Sequence, residues 1–358
     1  MSEMNVVITG TGKCIPEKIV TNNDFFQSKF YSEKGELIVQ NPGLTIKKFE
    51  EITGIRERRY AQDELRTSDL ATIAAREAIA DAEIDPEALD GIFLAHNFGN
   101  LGKGEIQTDQ VPSIASRVKY NLSIANPDCI AFDLLYGCPG WIQTMIVAHH
   151  YIKAGEGKKY LIIGAETLSR TLDPHDRDSM IFADGAGAAV IESRNGDTQS
   201  GILSTASQTF AKEEAYYLTY DQSYNRGYGL PTRFIKMEGR KIYEFTLNYV
   251  PLAMKSCLEK AGLEIHDIDK ILLHQANEKM DEAIVKRFYK LYQMDPPEGI
   301  MPMNIHLLGN SSVATIPTLL DLILKNELDG HHISQGDVIL MASVGAGMNI
   351  NAVTYRFE

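Results

Sequence analysis

The sequence predicts an α/β protein of stacked layers, built from two copies of one unit. Short, continuously apolar segments such as Ile92-Phe93-Leu94 and Leu161-Ile162-Ile163 alternate with longer stretches of helical spacing. Strands apolar on both faces belong to sheets covered by helices on either side. The stretch Ala82-Glu83-Ile84-Asp85-Pro86-Glu87-Ala88-Leu89-Asp90-Gly91-Ile92-Phe93-Leu94 returns as Ala261-Gly262-Leu263-Glu264-Ile265-His266-Asp267-Ile268-Asp269-Lys270-Ile271-Leu272-Leu273, 179 positions later. A second strand pair, Tyr160-Leu161-Ile162-Ile163-Gly164 and Val338-Ile339-Leu340-Met341-Ala342, repeats at nearly the same interval. Two matches in register indicate an internal duplication.

The elements follow in order. The chain runs from its start straight into an apolar strand ending at Gly10. Residues 28–47, with Gly35, Pro42 and Gly43, read as an inserted excursion, and 98–110 as a second insertion. Ser68 is placed to cap a helix over Leu70–Ala82. A further helix is expected over Gly137–Ala154, burying Ile142, Met145, Ile146 and Ile152 and closed by Gly155-Glu156-Gly157. Asp184-Gly185-Ala186-Gly187-Ala188-Ala189 leads into a strand, so its glycines serve close backbone packing rather than phosphate binding. Residues 206–233, rich in Tyr, Gly and charge, read as a long irregular loop or cap. No Ser/Gly/Pro linker separates the copies, which are expected to pack as one unit of two halves, 1–195 and 196–358.

Composition excludes several functions. The 358 residues are 44% hydrophobic and carry a net charge of −13, which argues against nucleic-acid binding. No window approaches the roughly 18 apolar residues of a membrane-spanning helix. With no signal-peptide pattern at its start, the protein is expected in the cytoplasm. Cys14, Cys129, Cys138 and Cys257 show no zinc-type spacing, and disulfides are not expected in that compartment. The pairs His149-His150 and His331-His332 lack companion ligands, so no metal is expected. Gly10-Thr11-Gly12 lacks the third glycine and the following helix of a dinucleotide loop. Arg56, Arg58 and Arg59 cluster, as on a solvated face or a patch for an acidic partner.

Three segments share one design, a polar side chain presented among small residues at the end of an apolar run. They are Tyr136-Gly137-Cys138-Pro139-Gly140-Trp141, Leu272-Leu273-His274-Gln275-Ala276-Asn277 and Leu308-Gly309-Asn310-Ser311-Ser312. Each alone has an ordinary structural reading: a buried cysteine at a turn, a hydrogen-bonded histidine, an asparagine cap. Cys138, however, sits among glycines at the expected opening of a helix, where dipole and amides favour a thiolate and an oxyanion. Together the three suggest a nucleophile and two binders of a thioester carbonyl, hence acyl transfer through a thiol.

With these segments the chain resembles the β-ketoacyl-acyl carrier protein synthase III family of the thiolase superfamily. Thr53-Gly54-Ile55-Arg56-Glu57-Arg58 is similar to its early signature, and Asp173-Pro174-His175-Asp176-Arg177 with Phe182-Ala183-Asp184-Gly185-Ala186-Gly187 to its central one. His274-Gln275-Ala276-Asn277, Gly309-Asn310-Ser311-Ser312 and Gly345-Ala346-Gly347 complete the set. The resemblance implies a thiolase-like five-layered α-β-α-β-α fold and a homodimer. It implies acylation of Cys138, with His274 and Asn310 binding the malonyl thioester and the amides of Cys138 and Ala346 forming an oxyanion hole. It further implies that Arg177, Lys279, Gly239 and Val111 lie along the substrate and carrier sites. The substrates would be acyl-CoA and malonyl-acyl carrier protein, with no cofactor.

Departures from the family pattern mark a specialised branch. Pro139 follows the nucleophile, and Lys48 and Ile52 stand where the family has the tryptophan and arginine that sandwich adenine. Val111 stands where the partner-subunit residue bordering the acyl pocket is often phenylalanine in the family, which predicts a roomier pocket. A non-decarboxylating acyltransferase and the catalytic subunit of a heterodimeric ketosynthase remain alternatives. A thiolase would need a second catalytic cysteine near the C-terminus, and a papain-like hydrolase would not be duplicated.

Overall fold

The structure, a computed structural model, describes residues 4–39, 41–196 and 200–358. Two sheets carry it. The first has the strand order Met4–Cys14, Asp184–Asn195, Lys159–Thr167, Gly91–His96, Ile130–Leu135. The second has Gly201–Thr209, Asn349–Arg356, Val338–Gly345, Lys270–Leu273, which repeats the first four positions. Parallel and antiparallel pairings recur position by position. Ile92 pairs with Leu161 and Ile271 with Leu340, so both members of each pair are related by the interval of 179. The turns repeat as well. Asp90 accepts the amides of Lys158 and Lys159 at 2.6 and 2.9 Å, and Asp269 accepts that of Val338 at 2.8 Å.

Strand residues alternate between two cores, as a period of two requires. In Lys159–Thr167, Tyr160 and Ile162 face the middle of the molecule while Leu161 and Ile163 face outward. In Val338–Gly345, Ile339 and Met341 face the middle and Leu340 and Ala342 outward. The middle layer is the helix pair Gly140–Ala154 and Thr315–Leu324, which buries Trp141, Met145, Leu319 and Leu320 between the sheets. Helices Thr67–Asp81 and Ile114–Asn121 cover the outer face of the first sheet. Helices Gly239–Lys260 and Glu278–Lys290 cover that of the second. The result is the five-layered α-β-α-β-α fold.

Glycines permit the close approaches. A Cβ on Gly12 would lie 2.3 Å from the Ala74 carbonyl oxygen, and one on Gly187 2.6 Å from Pro317 Cβ. Both glycine runs therefore seat a helix on a strand, as the sequence indicated for the run at 184–189. Several element boundaries differ from expectation. The helix expected from Leu70 spans Thr67–Asp81, because Asp69 accepts the Arg66 amide at 2.8 Å and starts it earlier; Ser68 lies inside it. The helix expected from Gly137 begins at Gly140, because Gly137 holds a left-handed φ of 70°. Within the excursion at 28–47, Pro42 already begins a helix, Pro42–Thr53, behind an Asn41 cap. The stretch 206–233 is more ordered than a loop. Strand Gly201–Thr209 enters it, and Leu218–Asp221 pairs with Phe234–Met237 as a ribbon.

Arg58 does not join a solvated face. It is fully buried, donating to the carbonyls of Met180 and Val20 at 3.0 and 3.1 Å and to Asn22 Oδ1 at 2.7 Å. A buried guanidinium persists where several acceptors replace its water. No helix among the described residues is long and apolar enough to cross a membrane.

Candidate active site

Cys138 sits between the end of strand Ile130–Leu135 and the start of helix Gly140–Ala154, with Pro139 as the helix N-cap. The corresponding turn of the second half lies against it. A Cβ on Gly345 would fall 2.6 Å from the Cys138 amide nitrogen, and one on Gly137 2.9 Å from that of Ala346. The Cys138 and Ala346 loops are thus in backbone contact, and that contact requires both glycines.

His274 follows strand Lys270–Leu273, its amide donating to the Ala342 carbonyl at 3.0 Å. Asn310 is fastened to the first half by its backbone. Its amide donates to the Ile181 carbonyl at 3.0 Å and its carbonyl accepts from Ala183 at 2.8 Å. The left-handed Gly309 before it (φ 66°) packs where a Cβ would meet Arg58 Cβ at 2.7 Å. The buried arginine and this glycine together set where Asn310 enters.

One residue joins the three. Ser312, held at a left-handed φ of 54°, donates its amide to Asn310 Oδ1 at 2.8 Å. Its hydroxyl donates to Cys138 Sγ at 3.3 Å. Its carbonyl accepts the Thr315 hydroxyl at 3.0 Å, and that hydroxyl lies 2.7 Å from His274 Nδ1. Asn97 Nδ2 donates to the Ser312 hydroxyl at 3.0 Å and also to the buried Glu166 carboxylate. Ser312 was legible only as part of a motif, and neither Asn97 nor Glu166 was singled out. The available signal was an acid closing the apolar run Leu161-Ile162-Ile163-Gly164-Ala165-Glu166.

Burial governs the charges. It pushes the Cys138 thiol up to about 11, against the lowering effect of the Ser312 bond. The sulfur therefore rests as a thiol, not the thiolate expected from a helix start, because Cys138 precedes the N-cap and the pocket floor is apolar. Burial also holds His274 down at about 4, leaving it a neutral imidazole, and raises Glu166 to about 8.

A cavity of about 410 Å³ opens above Cys138, walled by Phe98, Leu135, Phe182, Leu218, Tyr220 and Ile235. The ribbon supplies three of these, so the expected cap forms one wall. Lys236 secures it: its ammonium, only 6% exposed, lies 2.5 Å from Asp173 and 2.8 Å from Asp176. Cys138 and Ala346 line this cavity; the buried His274 and Asn310 and the other predicted residues do not. Val111 is 85% exposed. Lys279 is exposed on helix Glu278–Lys290. Arg177 borders a separate hollow with Glu33, Asp176 and Asp178, and a Cβ on Gly239, which opens its helix, would lie 4.0 Å from Asp178 Oδ2. Among the described residues no group of three or more His, Cys, Asp or Glu is placed to hold a metal ion.

Known proteins share both sequence and architecture with this chain. Residues 132–210 match the family of 3-oxoacyl-[acyl-carrier-protein] synthase III and residues 258–357 that enzyme's C-terminal family. The β-ketoacyl-[acyl-carrier-protein] synthase III of Clostridium acetobutylicum is 33% identical, covering 99% of each chain. The crystal structure of the Aquifex aeolicus synthase III superposes with a TM-score of 0.80 at 31% identity, over 98% of this chain and 100% of that one. That of Thermus thermophilus gives 0.79 at 29% identity, over 98% and 99%. Full-length identity and the duplicated five-layered fold agree: this chain belongs to the β-ketoacyl-[acyl-carrier-protein] synthase III family.

Proposed function

We propose that the chain catalyses a decarboxylating Claisen condensation, with Cys138 as nucleophile and His274 and Asn310 as binders of the malonyl thioester. The convergence of all three on Ser312, beneath an apolar cavity, is the observation that carries this reading. In the first step Sγ attacks the thioester carbon of an acyl-CoA. The carbon–sulfur bond to coenzyme A breaks, and the cysteine proton leaves with the departing thiol. Amides of Cys138 and Ala346, on loops in contact, take the oxyanion, a task worth about 3 kcal/mol per donor.

Malonyl-acyl carrier protein then loses carbon dioxide, and the electron pair of the broken bond passes into a thioester enolate. A neutral His274 is suited to donate from Nε2 to that oxygen. The hydrogen of Thr315 has two acceptors, the Ser312 carbonyl and His274 Nδ1, and turning it to Nδ1 leaves the imidazole proton on Nε2. The Asn310 amide is the second donor, its Oδ1 already occupied by the Ser312 amide. The enolate carbon attacks the acyl-cysteine, Sγ leaves, takes up a proton, and a 3-oxoacyl thioester is released. No step calls for a metal or redox cofactor.

Several placements extend the reading. Strand Ile130–Leu135 is a free sheet edge with Ile130 and Leu135 exposed by 40% and 66%, the geometry of a strand awaiting a second copy. A homodimer would bring the exposed Val111 loops toward the partner's acyl cavity. The halves divide between residues 195 and 196, each carrying one sheet, and a cytoplasmic enzyme is expected. Exposed Lys279 and Arg177 are available to an acidic carrier or to phosphate. The groove beside the early signature carries Glu50, Glu51 and Glu278 with Lys47 and Arg56, a mixed lining for a pyrophosphate. This favours a carrier-bound primer if coenzyme A esters react poorly.

Intact-protein mass after exposure to an acyl-CoA series and to acyl carrier proteins tests the reading. Adducts on the native chain that vanish in Cys138→Ala are expected, with chains longer than acetyl accepted. Absence of any adduct from either donor refutes it.

A further inference from the structure

We propose that Asn97 and Ser312 form a one-way hydrogen-bond chain that delivers a proton donor to the Cys138 sulfur, with Glu166 as the group that orients it. The proposal rests on the reading of Cys138 as the nucleophile and concerns how the protein stabilises its charged form.

The direction of the chain follows from what each group can do. Glu166 Oε1 accepts the Asn97 backbone amide at 2.7 Å and the Asn97 side-chain amide as well. The oxygen that already takes the backbone N–H acts as an acceptor, any carboxyl proton then residing on the other oxygen, so the NH2 end of Asn97 faces it. Its second N–H reaches the Ser312 hydroxyl at 3.0 Å. The hydroxyl oxygen is thereby occupied as an acceptor, and its own hydrogen is directed at Sγ, 3.3 Å away. The backbone leaves Ser312 little freedom to do otherwise, since its amide is held by Asn310 Oδ1 and its φ is fixed at 54°. Chains of this kind polarise along their length, and a bond to a charged acceptor is about twice as strong as one to a neutral acceptor. The chain therefore favours thiolate over thiol, opposing the burial that raises the Cys138 thiol. Asn97 lines the cavity but, like Glu166, makes no hydrogen bond to the sulfur, and both act on it as positioning residues. The device matters twice in the cycle, when the sulfur attacks and when it leaves.

The test is the rate of Cys138 alkylation by iodoacetamide against pH, read by peptide mass, with Cys14, Cys129 and Cys257 as internal references. Thiolate reactivity is measured without acyl transfer, so a failed acyl-loading experiment and a failed donor chain remain separate results. Ser312→Ala should slow alkylation at pH 8 about tenfold and move the pH midpoint upward by about one unit. Asn97→Ala should act in the same direction by about threefold. Glu166→Gln keeps an acceptor for both Asn97 donors and removes a negative charge, so alkylation should be no slower than in the native chain. Profiles of Ser312→Ala and Asn97→Ala that superimpose on the native one overturn the proposal. So does slowing shared by the three reference cysteines, which reports a general change of fold. A tenfold loss in Glu166→Gln overturns the role given to Glu166.

Discussion

Gly345→Ala tests whether the two halves set the position of Cys138, the proposed nucleophile, by direct backbone contact. Gly345 is fully extended (φ −167°), a conformation alanine adopts freely, so the substitution acts through space rather than strain. Its methyl would stand 2.6 Å from the Cys138 amide nitrogen, 2.7 Å from Pro139 Cδ and 3.0 Å from Cys138 Cβ. Ordinary contact begins near 3.4 Å, so the Cys138 turn must retreat by about 0.8 Å. Overpacking of this kind destabilises by about 1–3 kcal/mol, and a displacement near 1 Å at reacting atoms lowers rate by ~100-fold. The assay is the single-turnover rate of Cys138 acylation beside the thermal midpoint, with Gly227→Ala as control. Gly227 has no left-handed φ, and its nearest neighbour would be Asn225 Oδ1 at 3.5 Å. Gly345→Ala should fold, melt a few degrees lower and acylate ~100-fold more slowly. Acylation at the native rate in a folded Gly345→Ala protein refutes the reasoning.

Three further outcomes are expected. His274→Ala and Asn310→Ala should each cut carbon dioxide release from malonyl-carrier by 10²–10³-fold while Cys138 still acylates; equal loss of acylation contradicts the division of labour. Glu166→Gln should stabilise the protein at high pH. A buried carboxyl raised to about 8 gives stability that is full below its ordinary value near 4.5 and lost as pH rises through 8. The advantage of Gln, which carries no charge, should therefore grow from pH 5 to pH 9, by up to ~4 kcal/mol. A melting-temperature difference constant over that range counts against it. Lys236→Met should cost about 3–5 kcal/mol by stranding Asp173 and Asp176. It should also broaden the acyl-chain preference, because Ile235 and Tyr220 of the ribbon wall the cavity; unchanged chain selectivity would separate the ribbon from specificity.

Much of the architecture was written locally. Alternation, apolar runs and a repeat at 179 positions were enough for a duplicated α/β protein, since each depends on residues near in sequence. The spacing even placed Asp90 and Asp269 at equivalent turns. Cys138, His274 and Asn310 were legible because each stands out among small residues at the end of an apolar run. Boundaries were less so: Asp69 reaching back to Arg66, and Gly137 turning left-handed, are settled by single hydrogen bonds and one dihedral.

The sequence by itself determined the family and the layered fold and singled out three candidate site residues, because these rest on local patterning and on residue identity. Tertiary structure alone decided how those side chains meet. Arg58 carries the same charge as its neighbours, and only folding surrounds it with the carbonyls of Met180 and Val20. Ser312, Asn97 and Glu166 come from segments up to 215 positions apart and acquire direction only as partners of one another. The resting charge of Cys138 belongs to the same class, because solvation depends on what packs around the sulfur and not on its neighbours in the chain.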